Sequence, residues 1–196
     1  MSKRKNDPLG LKSRVLEQAG RELLHNGYEG ARLNQIIADA GITKGALFHH
    51  FSSKEDLARQ WYDSVIPAIL EEVWRNSLER NPDPLSRLEE IFSLMLSPEG
   101  ERIFYFSWSS CGLENSLELK NLMKNFYIEW HEIVMKALEY GQKAKTVHPA
   151  VRAGDEAQMI LSLAQGMAWQ QRMSGFDAVT ACLRSVKAYL ATLRPA

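Results

Sequence analysis

Arg32-Leu33-Asn34-Gln35-Ile36-Ile37-Ala38-Asp39-Ala40-Gly41-Ile42-Thr43-Lys44-Gly45-Ala46-Leu47-Phe48-His49-His50-Phe51 is the stretch whose reading decides the fold. Residues 33–40 and 43–50 read as two short helices joined by a tight turn at Gly41, where glycine takes a positive φ without strain. Ile36, Ala40, Ile42, Leu47 and Phe51 are the apolar positions that lock the pair against a preceding helix. Thr43, Lys44, Gly45, Ala46, Phe48 and His49 are left facing outward, and most of them are small, polar or basic. That pattern is a helix-turn-helix whose second helix enters a DNA major groove by its N-terminal end. Gly45 and Ala46 permit close backbone approach, and Ala46 suits a thymine methyl. Lys44 reaches guanine or phosphate, and Thr43 offers a hydroxyl beside free N–H groups. Lys54, opening the next helix, is placed for a phosphate.

Outward from this motif, almost everything reads as helix. Residues 12–26 carry Val15, Leu16, Ala19, Leu23 and Leu24 at helical spacing, with Gly27 as the stop. Ser53, followed by Glu55 and Asp56, is an N-cap with an acidic first turn. A long helix follows to about residue 80, with Pro67 as a kink. Asn81-Pro82-Asp83-Pro84 is a break, with Pro84 suited to the first turn of a helix over 85–96. Residues 99–110 read as helix, although Phe104, Tyr105, Phe106 and Trp108 also suit a strand. Helices over 115–143, 153–173 and 176–193 complete the chain, the last two separated at Ser174-Gly175. The expected fold is all-α: a three-helix head with an N-terminal arm over 1–53, then a helical effector-binding and dimerisation body over 54–196, about nine helices in all.

The run Ile36-x-x-x-Ala40-Gly41-Ile42-Thr43-Lys44-Gly45-x-Leu47-Phe48-x-His50-Phe51-x-x-Lys54-x-x-Leu57 resembles the signature of TetR-type regulators. The resemblance implies a homodimer on palindromic double-stranded DNA, with a small molecule in the body setting the spacing of the two heads. It implies phosphate contacts at His50 and Lys54, groove contacts at Lys44, Gly45, Ala46 and Phe48, and a base contact at Asn34. Phe48 stands where the family usually has Tyr, keeping the ring without the hydroxyl. Arg32 replaces the family's usual capping Thr or Ser and adds a charge. Ile37 replaces a common Ala.

The bulk properties agree with this reading. The chain has 196 residues and no net charge. Residues 1–59 hold ten Lys/Arg against seven Asp/Glu, so the excess positive charge lies at the expected DNA-binding end. Lys3, Arg4 and Lys5 form a basic arm with no apolar run behind it, unlike a signal peptide. No apolar run is long enough for a membrane span, and the two cysteines have no metal or disulfide spacing, so a reducing cytoplasm is expected. His49 and His50 are neighbours on a helix with no third ligand nearby, which argues against a metal. No nucleophile–base pair, phosphate loop or cofactor motif marks an enzyme.

Phe104, Trp108, Cys111, Phe126, Trp130 and Met167 are candidate effector-pocket residues, suited to an apolar or aromatic ligand. Helical stripes such as these equally form core. Ile160, Ala164, Ala168, Val179 and Val186 are candidate dimer contacts on apolar helix faces, in a two-fold four-helix arrangement. The alternative function is a DNA-binding regulator with no small-molecule effector, controlled by a protein partner or acting as an activator.

Overall fold

The computed structural model of the protein describes residues 8–94, 97 and 112–195. They form eight helices and no strand. The expected helix over 99–110 lies outside the described residues. Internal packing divides the chain into two units, Met1–Val65 with Ser109–Leu122, and Ile66–Trp108 with Met123–Ala196.

The first unit starts with α1 (Pro8–Gly30), α2 (Leu33–Ala40) and α3 (Lys44–His50). Val15 and Ala19 of α1 pack with Ile36, Ala40, Leu47, Phe51 and Leu57 as one buried cluster, and Ile42 lies partly buried against it. Burying this many apolar side chains at about 1.5–3 kcal/mol each holds the short α2 and α3, which would not persist alone. Gly27 does break α1 (φ 69, ψ 175), but a further turn carries the element on to Gly30. A Cβ at Gly20 would lie 2.3 Å from Trp61 Nε1, so the bare glycine is what lets the indole lie on α1.

α4 (Lys54–Ala68) opens as the sequence predicts. Ser53 Oγ accepts the Asp56 N–H at 3.0 Å, and Asp56 Oδ2 accepts the Ser52 N–H at 2.9 Å, so two orphan donors are satisfied together. Pro67 does not end the helix. Beyond it the chain continues as a π-helical stretch over Ile69–Arg75 and a last turn at Asn76–Leu78. Proline lacks an N–H and crowds the preceding turn, and a wider register downstream accommodates that disturbance.

In the second unit, α5 (Pro84–Leu94) is capped by Asp83, whose Oδ1 accepts the Ser86 N–H at 3.2 Å. α6 (Leu117–Lys143) begins in the first unit and buries Met123, Phe126, Trp130, Val134 and Leu138 in the second. α7 (Ala153–Ser174) and α8 (Phe176–Thr192) meet at Gly175, which has φ 78. Arg194 closes back on Asp83 at 3.1 Å, tying the chain end to the start of α5.

One expectation is corrected here. Ile160, Ala164, Ala168, Val179 and Val186 are each 0–3% exposed within the single chain. They pack α7 and α8 into the chain's own core and have no surface to offer a partner. The exposed apolar residues of α7 are Met159, Trp169 and Met173. No helix among the described residues is long and apolar enough to cross a membrane.

Candidate nucleic-acid interface

α3 is short, and its geometry is set at both ends. Gly41 takes the left-handed conformation (φ 64, ψ 40) and donates its N–H to Ala38 O, while Ile42 N–H reaches Ile37 O at 3.2 Å. This closes α2 and turns the chain within three residues. Thr43 then takes an extended conformation, and its Oγ1 accepts the Ala46 N–H at 3.1 Å. α3 is therefore capped by the residue that precedes it, with other first-turn N–H groups left for a partner outside the helix.

Inward, Leu47 and Phe51 are 1% exposed and anchor the helix. Outward, Thr43, Lys44, Gly45, Phe48 and His49 are exposed, while Ala46 and His50 are half-buried. Phe48 is 42% exposed, a large apolar ring left in water with Lys44 Nζ 5.9 Å from its centroid. The His49 and His50 rings meet edge to face with centroids 5.2 Å apart. No group of three or more His, Cys, Asp or Glu that could hold a metal occurs among the described residues.

Arg32 and Asn34, at the start of α2, are exposed. Arg32 has no capping side chain; instead its N–H donates to Glu22 Oε1 of α1 at 3.1 Å. Lys54 sits differently from its neighbours in the motif. Its Nζ donates to Glu29 O at 3.1 Å and lies 4.9 Å from the Tyr28 ring centroid. Loss of solvent lowers its pKa, opposed by the carboxylates of Glu29 and Glu22. Burial, then Glu55 and Glu29, raise the Tyr28 pKa. Glu29 was invisible as a partner in the sequence, because nothing in helical periodicity links positions twenty-five apart, and Tyr28 beside it was equally hidden.

Of the candidate effector residues, Phe126, Trp130 and Met167 are buried in the second unit, and Phe104, Trp108 and Cys111 lie outside the described residues. Trp130 gathers the rings of Trp74, Phe126 and Tyr127 around it, with centroid distances of 4.7, 5.6 and 6.2 Å. Its Nε1 is buried without a hydrogen-bond partner among the described residues.

Comparison with known proteins places this geometry. Residues 15–60 match the family of bacterial regulatory proteins, tetR family. The HTH-type transcriptional regulator UidR of Escherichia coli K12 is 24% identical over 163 residues, 80% of this chain and 79% of that one. A TetR-family transcriptional regulator from Agrobacterium tumefaciens has the same fold, with a TM-score of 0.84 at 18% identity over 96% of this chain and 100% of that one. So does a transcriptional regulator from Saccharomonospora viridis crystallised with choline, with a TM-score of 0.77 at 19% identity over 92% and 95%. Residues 15–60, which hold the capped α3, thus carry the match to the tetR family of bacterial regulatory proteins, and the chain shares the all-helical fold of such regulators over nearly its whole length.

Proposed function

We propose that the protein is a homodimeric repressor that reads a palindromic operator with α3 and leaves it when a small molecule binds the helical body. The observation that carries the reading is the Thr43-capped start of α3, with Lys44, Gly45 and Phe48 exposed around it. Thr43, Lys44 and His50 contact phosphate; Gly45, Ala46, Phe48 and His49 lie in the groove; Arg32 and Asn34 contact the flanking edge. The two copies pair through the exposed Met159, Trp169 and Met173 of α7, where Gly166 leaves room for close approach. Occupancy of promoter DNA by such a dimer excludes other proteins, which makes repression the simplest outcome.

The body's ligand would sit by the aromatic group around Trp130, whose N–H has no partner among the described residues and offers a donor to it. Choline in the related regulator supports a small-molecule site in this fold. The mutual packing of the four rings favours a second reading for these residues, in which they are core and regulation comes from a protein partner. A ligand acts only through unequal affinity for two head spacings.

The experiment is selection of bound fragments from random duplex DNA, with Lys44→Ala in parallel. One palindrome recovered by the wild type, and bound more weakly by the variant, supports the reading. A folded, dimeric protein that selects nothing at moderate salt sinks it.

A further inference from the structure

Position 32 opens α2 and cannot cap it. Arg32 is extended there (φ −112, ψ 115), and its side chain makes no cap. A guanidinium carries only donors, so it has nothing to offer the free N–H groups of the first turn. The other half of a capping box comes three residues on, from a Glu or Gln that reaches back to the N–H of the capping residue. Gln35 stands at that place, but its Nε2 donates along the helix to Asp39 Oδ1 at 2.9 Å. Neither half of the device is supplied by α2 itself.

α1 supplies what α2 lacks. Glu22 Oε1 accepts the Arg32 N–H at 3.1 Å, which is the bond a capping-box carboxylate would accept. That carboxylate lies at the positive end of α2, where an anion is favoured. From there the first turn closes, with the Gln35 and Ile36 N–H groups on Arg32 O at 3.1 and 3.2 Å. Ile36 is buried in one cluster with Val15 and Ala19, so α1 sets both the start of α2 and its core contact.

With the cap supplied from α1, the side chain at 32 is free to carry charge. Arg32 is exposed, and no carboxylate pairs with its guanidinium among the described residues. Even Glu22, bonded to its backbone, does not draw the side chain back into an ion pair. Arg21 and Arg59 of the same unit are each paired with a carboxylate, at 2.7 and 2.9 Å. The first helix of a helix-turn-helix crosses the DNA backbone, which brings an unpaired cation at its start beside phosphate.

We propose that Glu22 is a positioning residue that caps α2 from α1, and that it thereby frees Arg32 to contact a phosphate at the edge of the half-site. The inference rests on the DNA-reading function proposed above.

Hydrogen exchange on the free protein tests the cap without DNA. In Glu22→Ala the Gln35 and Ile36 amides should exchange about tenfold faster than in the wild type. Glu22→Gln keeps an acceptor and should exchange at the wild-type rate. Adding Arg32→Thr to Glu22→Ala gives α2 a cap of its own and should slow both amides again. A residue that only packed α1 on α2 would not be rescued in this way. Wild-type exchange in Glu22→Ala, or no rescue by Arg32→Thr, overturns the role of Glu22.

Salt titration tests the contact. A phosphate contact releases counterions whatever the sequence, so the wild type and Arg32→Met are compared on a mixed-sequence duplex as well as on the selected palindrome, between about 50 and 200 mM salt. Arg32→Met should lower the slope of log K against log salt by about 0.9 for each head on the duplex. An unchanged slope overturns the contact. A wild type that binds the mixed duplex but selects no palindrome defeats the DNA-reading function alone. If it binds no duplex, the Arg32 contact falls with that function, and the exchange result still decides the cap.

Discussion

Asp56 shows how one residue sets the head's response to acid. Its carboxylate accepts from the Gln60 side chain, the Ser52 N–H and Arg59, and these bonds hold its pKa down at about 2, against the ordinary 3.8. The bonds to Gln60 and Ser52 are the largest causes; burial works the other way. A depressed carboxylate pKa stabilises the folded state at every pH above the unfolded value. That contribution is lost as pH falls from about 3.8 to about 2. Asp56→Asn should therefore be less stable at neutral pH, and its stability should decline less steeply across that window. Denaturant melts at several pH values test this; parallel curves for the two proteins would assign the acid sensitivity elsewhere. The same carboxylate accepts the Ser52 N–H beside the Ser53 cap, so the loss should be concentrated in the first turn of α4.

At the scale of elements, α4 departs furthest from a regular helix. Its π-helical stretch brings Trp74, 1% exposed, to within 4.7 Å of the Trp130 ring centroid on α6. Truncating so large a buried ring leaves a cavity that its neighbours fill only in part, so Trp74→Ala should cost about 3–5 kcal/mol. Trp74→Phe should cost less and should abolish the paired near-ultraviolet dichroism that two close indoles produce. A spectrum unchanged in Trp74→Phe would mean that the rings are not coupled in solution.

Periodicity made the helices legible, because Val15, Ala19 and Leu23 or Met123, Phe126 and Trp130 recur at helical spacing and bury accordingly. Chemistry at single residues made the joints legible: Gly41, Ser53 and Pro84 act as the sequence predicts. The π register was not legible, since Pro67 signals a disturbance without saying how the following backbone accommodates it. Nor was the Lys54–Glu29 bond, which depends on how α1 and α4 meet. The motif identified α3's exposed face, while the inner and outer sides of α7 could not be told apart from apolar content. Ile160 and Met159 are adjacent, equally apolar in pattern, and oppositely placed.

For the whole molecule, that distinction decides how a dimer can form. A single head presents few contacts, and joining two converts the second half-site into an intramolecular encounter. A residue that serves the pairing must be exposed in one chain. Trp169 and Met173 are 50% and 64% exposed, whereas Ala164 on the same helix is 1% exposed. Trp169→Glu should therefore give a monomer of unchanged helical content, with operator binding weakened by at least about a hundredfold as the second half-site is lost. Ala164→Glu should behave differently, because it forces a charge into the chain's own core, where no water or partner compensates it. That variant should unfold or lose its cooperative melt. Sedimentation and circular dichroism on the two variants separate these outcomes. A dimeric Trp169→Glu that retains operator affinity would place the pairing surface on another face of the chain, and a folded, monomeric Ala164→Glu would return it to the inner face of α7.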